Sequence, residues 1–244
     1  MTSEKTKLAE PVSATAGEAG TAPSPADDRF AAALRGFGPI GIAAIAIIFL
    51  GNSVFLPFSA ILAVVWAWRS RTPWRELGYV RPKSWIASTA IGIVFGCALK
   101  LLMKSIVMPL LGADPINQAF HYLTGNRAAL PGMLYTVTIG AGFGEETLFR
   151  GYLFERFGKL FGQSVASKTL IVLVTSVWFG LAHYSLQGVA GTEQAFITGL
   201  VFGTIFAITG RIWMLMSAHA SFDLAAVAII YWGWETRVAH WFFK

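Results

Sequence analysis

Residues 38–68 read GPIGIAAIAIIFLGNSVFLPFSAILAVVWAW, a run of 31 residues without one charge. As a single helix it would be ~46 Å long at 1.5 Å per residue, more than the ~30 Å hydrocarbon core of a bilayer. Gly51-Asn52-Ser53 and Pro57 offer a natural break. The stretch therefore reads as a tight hairpin of two helices, one from about Phe30 to Leu50 and a second from about Val54 to Trp68. Such a block decides the fold class, because no soluble surface has room for it.

The rest of the chain agrees. Hydrophobic residues make up 55% and charged residues 13% of the 244, against roughly 45–50% and 25% in an average soluble domain. Nineteen Lys and Arg against 13 Asp and Glu give a net charge of +6, yet no basic block with interleaved aromatics is present to serve as a nucleic-acid footprint. Nucleic-acid binding is not expected. Cys97 is the single cysteine, so disulfide-stapled secreted folds and cysteine metal clusters are excluded.

Charge instead reports topology. Arg69, Arg71, Arg75, Arg81 and Lys83 face only Glu76, which places this loop in the cytoplasm by the positive-inside rule. Trp85–Leu111 then crosses outward, with Lys100 and Lys104 snorkelling or facing a wet interior. The 112–126 loop has no Lys or Arg. A span from Ala128 returns to a basic loop with Arg156, Lys159 and Lys168. Thr169–His183 goes out, Ala195–Thr209 returns, Arg211 marks the inner face, and Ile212–Trp232 goes out. The expected fold is an all-α polytopic transmembrane bundle of about seven spans, with a range of six to eight. The expected localisation is multi-pass in the plasma (inner) membrane with a cytoplasmic N-terminus. Residues 1–29, rich in Ala, Ser, Thr, Pro, Gly and Glu, are expected to be a disordered tail. They contain no apolar core of a cleavable signal. The membrane domain is 30–244, its chemistry-bearing core 128–233. Gly92 with Gly96, Gly140 with Gly144 and Gly199 with Gly203 are pairs four apart that suit close helix packing. Gly140, Gly142 and Gly144 follow no strand and precede two carboxylates, which argues against a phosphate loop.

Ionisable groups inside a bilayer are expensive and are functional candidates by default. Here they cluster in three spans. In Glu145-Glu146-Thr147-Leu148-Phe149-Arg150, Glu146 and Arg150 at i,i+4 can pair on one face. That leaves Glu145 without a local partner and free to act as a general base; a solvated helix end is the plainer alternative. His183 ends the apolar run begun by Phe179-Gly180 and suits proton transfer, or else sits at the interface as packing. His219 and Asp223, also i,i+4, are two polar groups in one apolar helix and need either each other or an external partner. Two carboxylates, an arginine, two histidines and an aspartate on three spans are the parts of a hydrolytic site. His121 and His240 have no partner by spacing and read as interfacial.

Glu145-Glu146-xxx-Arg150, Phe179-xxx-His183 and His219-xxx-Asp223, in this order, resemble the three motifs of the CAAX-protease and bacteriocin-processing family of intramembrane endopeptidases, the type 2 CAAX prenyl protease or Ras-converting-enzyme fold. Glu76-Leu77-Gly78 followed by Arg81-Pro82 also resembles that family's approach to the next span. The resemblance implies that Glu145 and His183 activate water for attack on a peptide carbonyl. It implies that Glu146 and Arg150, with Phe179, support the motif, and that His219 with residue 223 stabilises the oxyanion. The family often has Asn where this chain has Asp223. An ionised Asp cannot donate to an oxyanion, so Asp223 is protonated, orients His219, or ligates a metal. Metal-free Glu/His chemistry needs no cofactor. The alternative is a catalytic divalent metal such as Zn²⁺ held by Glu145, His183 and His219 with one position open, although no His-Glu-xx-His pair is present.

From the span boundaries, Glu145 would lie ~5 Å, His219 ~12 Å and His183 ~21 Å from the inner face. Convergence then requires the carboxylate helix to continue through Phe149–Phe161, where Leu148, Phe149, Leu153, Phe154 and Phe157 give it an apolar face, or the His183 helix to be tilted or longer. The expected site is a cavity open to the cytoplasmic half. The expected function is an intramembrane endopeptidase acting on a membrane-associated or C-terminal peptide, with the bilayer and a peptide or protein substrate as partners. The alternatives are a proton-coupled transporter, which shares such Glu/His/Asp chains, and a non-catalytic, immunity-type protein that sequesters a peptide.

Overall fold

The structure is a computed structural model and describes residues 25–243. The tail expected over 1–29 lies outside the described residues up to residue 24. A first helix, α1, begins at Pro25 and runs to Arg35, and α2 follows at Pro39–Leu50. The two are bent by 62°, with Pro39 at the first turn of α2, where a missing N–H removes no helical bond.

The remaining elements are helical throughout. They are α3 (Phe58–Arg69), α4 (Trp85–Leu110), a continuous helix α5 over 130–161, α6 (Val165–Thr209), α7 (Trp213–Tyr231) and the short α8 (Glu235–Ala239). α6 is broken at Gly188, whose φ of 62° and ψ of −159° lie outside helical space. Only glycine reaches such a conformation cheaply, so a single residue turns the chain where the sequence suggested a loop of eleven. The two arms, 165–187 and 189–209, then pack side by side. Gly180 sits against Phe196 and Gly199 against Ser176.

Among the described residues, α4, α6 and α7 are long and apolar enough to cross a membrane, and the bent pair α1–α2 makes a fourth when counted as one span. α3 has only 12 residues, or ~18 Å. It is short because residues 51–57 are spent on a turn closed by reciprocal bonds: Asn52 N donates to Ser59 Oγ at 2.9 Å and Ser59 N to Asn52 Oδ1 at 3.0 Å. α5 is less apolar than α4, α6 and α7 because of its own charges: Glu145, Glu146, Arg150, Glu155 and Arg156 all lie within it. Ile86, Val94, Leu181 and Ile208 are among many large apolar side chains left exposed on the outside, a surface that belongs against lipid.

Two contacts set the frame around the site. On α4, a Cβ added at Gly96 would stand 2.0 Å from the Ala218 carbonyl oxygen and one at Gly92 2.6 Å from that of Met214, so these glycines let α4 and α7 touch backbone to backbone. Below them, Trp74–Leu77 forms a 3-10 turn, Leu77 is fully buried, and the Gly78 carbonyl accepts from Ile212 N at 3.0 Å. Tyr79 and Thr147 share a hydroxyl hydrogen bond of 2.7 Å. The Glu76-Leu77-Gly78 stretch thus clamps the start of α7 to α5. Arg156, assigned from sequence to a basic loop, is instead buried. It donates to the Arg35 carbonyl at 2.8 Å, pairs with Glu155, and lies 4.5 Å over the Trp66 ring.

Candidate active site

The carboxylates stand on an unusually wound helix. Residues Thr136–Tyr152 are π-helical over 17 residues, whereas π turns ordinarily occur singly and at functional sites. The glycines of this stretch let α5 approach its neighbours closely: a Cβ at Gly142 would meet that of Ala220 at 2.9 Å, and one at Gly144 that of Pro57 at 2.6 Å. Of the two ways to convergence, the helix takes the first and continues through Phe161, and the His183 helix also runs on past residue 183. Leu148, Phe149 and Leu153 are buried, and Phe154 and Phe157 pack on the core. The carboxylates are thereby carried into the middle of the bundle.

Glu146 is fully buried and Arg150 is 1% exposed, with Arg150 Nη1 donating to Glu146 Oε1 at 2.9 Å. The same oxygen accepts from His219 Nδ1 at 2.7 Å. Arg150 is also covered by two rings, Phe179 at 4.8 Å and Phe202 at 5.5 Å, which suits a delocalised cation removed from water. Glu146 therefore does two things. It neutralises Arg150, as the i,i+4 spacing suggested, and it orients His219, which the sequence did not indicate.

With Nδ1 committed to Glu146, His219 turns Nε2 toward the cavity, where Glu145 Oε2 and Asp223 Oδ2 each lie 3.7 Å away. The Nδ1 bond belongs to Glu146, and Asp223 approaches the ring from the other nitrogen. It stands beside the cavity-facing nitrogen, as Glu145 does, and both carboxylates are partly exposed to the cavity. His183 Nδ1 donates to the Phe179 carbonyl at 2.7 Å, one turn back. That bond fixes the tautomer and leaves Nε2 with a lone pair. Phe179 joins the pieces: its ring meets His183 edge-on at 4.7 Å, Phe149 at 4.9 Å and His219 at 5.9 Å.

Glu145, His183, His219 and Asp223 all line one cavity of about 440 Å³. Its other walls include Asn52, Leu56, Asn117, Phe120, Leu123, Lys100 and Gln194. None of its lining comes from the basic segments at 69–83, 156–168 or Arg211. The cavity therefore lies toward the Lys/Arg-poor end of the bundle. This corrects the expectation of a cavity open on the side of the basic loops. The reason is the α2–α3 turn and the 117–123 segment, which wrap the carboxylate helix at its N-terminal side. Of the two readings open for Lys100, snorkelling or facing a wet interior, it takes the second, as part of this wall; Gln194 is a wall residue that nothing in the local sequence marks. His121, which has no partner by spacing, meets Glu235 at 3.2 Å across 114 positions.

Among the described residues, no group of three His, Cys, Asp or Glu side chains is arranged to hold a metal ion. Glu145, His183 and His219, the donor set weighed from sequence, line the same cavity, and each histidine keeps its Nε2 free because Nδ1 is engaged by the protein.

Comparison with curated proteins and with solved structures gives no match. Residues 127–225, which run from the start of the carboxylate helix through both arms of α6 to Asp223, match the family model described as Type II CAAX prenyl endopeptidase Rce1-like.

Proposed function

We propose that the protein is an intramembrane endopeptidase in which Glu145 and His183 activate a water molecule. The observation that carries this is the meeting of Glu145, His183, His219 and Asp223 in one cavity within the stretch that matches a peptidase family. Glu145 accepts a proton from the water while His183 Nε2, held by its fixed tautomer, orients it. The hydroxide oxygen adds to the scissile carbonyl carbon. The resulting oxyanion is met by N–H at His219 Nε2, present when the ring is doubly protonated and supported by Glu146 on its far side. Glu145 then passes its proton to the amine as the C–N bond breaks. Asp223 balances the charge on His219 rather than donating to the oxyanion. This route draws on side chains alone.

Substrates fitting the cavity are peptide segments at a membrane surface or at a chain end; whether they are lipidated is for the assay to decide. Purified wild-type protein should cleave members of a mixed library of C-terminal and lipidated peptides, and Glu145→Ala none. A folded wild type that cuts nothing would shift the assignment to the transporter or the peptide-sequestering protein.

The same reading includes seven crossings, with α1–α2, α3, α4, α5, the two arms of α6, and α7 as spans, and with the basic loops in the cytoplasm of a plasma-membrane protein. The cavity then opens away from the cytoplasm. In a Cys97→Ala background, Gln118→Cys should react with a membrane-impermeant maleimide added to intact cells, while Ser164→Cys should react only after lysis. The reverse pattern would turn the molecule over and put the cavity on the cytoplasmic side.

A further inference from the structure

Among the described residues, the buried Arg150 has Glu146 as its anionic partner and the buried Arg156 has Glu155, while the half-buried Lys104 lies 3.8 Å from Glu235. Lys100 is 6% exposed, and among the described residues no carboxylate oxygen comes within 4.0 Å of its Nζ. Its contacts are neutral: it donates to Gln194 Oε1 at 3.0 Å and lies 4.8 Å from the Phe222 ring centroid. An ammonium has three donors, and here two of them are left for the cavity. Asp223 and Glu235 act on the ammonium only from beyond that distance, and a charge in a membrane helix without a close partner is costly to hold, a cost that an arriving anion would offset.

The position of Lys100 says what kind. It lines the cavity of Glu145, His183, His219 and Asp223, and it also lines a second cavity of about 450 Å³ that shares Asn117, Leu186, Gln187 and Gln194 with the first. Lys100 therefore sits at the junction, beside the hydrolytic groups rather than among them. Because Gln194 gives its Oε1 to Lys100, its Nε2 remains as a second donor next to the ammonium. One ammonium and one amide suit a singly charged, planar carboxylate. A phosphate or other polyanion would face Asp223 and Glu145 on one side and Asp114 and Glu235 on the other.

We propose that Lys100 and Gln194 form a carboxylate-binding subsite that seats the peptide substrate by its C-terminal carboxylate or an acidic side chain near the scissile bond. This deepens the protease reading and rests on it. Lys100 is a binding residue, so its loss acts on peptide preference.

The test uses the full-length Glu145→Gln protein, which holds peptide without cutting it, in nanodiscs. Fluorescence anisotropy is measured with three versions of one apolar peptide library: free C-terminal acid, C-terminal amide, and amide carrying one Glu. The free acid should bind at least roughly tenfold tighter than the plain amide. Lys100→Met should erase that difference, and Gln194→Leu should reduce it, which guards against misfolding of the lysine variant. Tight binding confined to the Glu-bearing amide would assign the carboxylate to a side chain. Equal binding of all three with Lys100 intact, no binding of any, or a preference that survives Lys100→Met would overturn the subsite. Wild-type cleavage assayed in parallel tests the protease reading separately. Preference without cleavage defeats that reading and keeps the subsite, and cleavage without preference does the opposite.

Discussion

Glu145→Gln is expected to fold as wild type and to lose turnover by about 10²–10⁴-fold, the span that a positioned general base contributes. The substitution keeps the size of the side chain and its place on the π-helical stretch, and it removes only the capacity to take a proton. Glu145 makes no hydrogen bond that holds the fold; its Oε2 is buried without a partner and faces His219 Nε2 at 3.7 Å. His183→Ala should cost a comparable factor, since His183 is the second group directed at the water. Groups that act as one unit are strongly non-additive, so the double variant should fall little below either single one. Peptide cleavage followed by mass spectrometry reads all three. Glu145→Gln retaining more than a tenth of wild-type turnover would remove the residue from the role assigned to it.

Arg150→Met should be the most damaging substitution for the fold. Arg150 is 1% exposed, between two phenylalanine rings, and is the partner of a glutamate with no exposed surface. Removing one member of such a pair leaves a buried uncompensated charge, at about 3–5 kcal/mol. Here the orphan would be Glu146, and because Glu146 also holds His219, activity should disappear with stability. The double variant Glu146→Gln/Arg150→Met removes both charges and should recover most of the stability. Thermal unfolding in detergent measures this. An Arg150→Met protein that melts like wild type would show that the pair is not what holds the α5–α7 contact.

The candidate residues could be picked out from sequence because a bilayer makes ionisable groups conspicuous: Glu145, Glu146, Arg150, His183, His219 and Asp223 stand out against apolar surroundings, and the structure brings them together. The pairing of Glu146 with Arg150 followed from helical spacing, and the continuation of α5 to Phe161 from its apolar face. Less could be read where geometry depends on contacts distant in the chain. A helical wheel assumes 3.6 residues per turn, and the 17 π-helical residues of 136–152 break that assumption where the carboxylates are aimed. The bond from His219 to Glu146 spans 73 positions and has no local signature. Gly188 looks like any other glycine in an apolar run until its φ is known, so one turn residue was read as a loop. The short α3 was overestimated because Asn52 and Ser59 close a turn through side chains. The side on which the cavity lies was misread for the same reason: span boundaries give depth along a helix and say nothing about which loops wall off one end.

The central claim is that water, activated by Glu145, hydrolyses a peptide bond without help from a metal. Its most direct test is cleavage of a susceptible peptide in ¹⁸O-enriched water by chelator-treated wild-type protein beside Glu145→Gln. The account predicts a product whose new carboxylate carries ¹⁸O from wild type, undiminished by the chelator, and none from the variant. Cleavage that stops with the chelator and returns on adding a divalent metal would contradict it, as would a variant that cuts as fast as wild type.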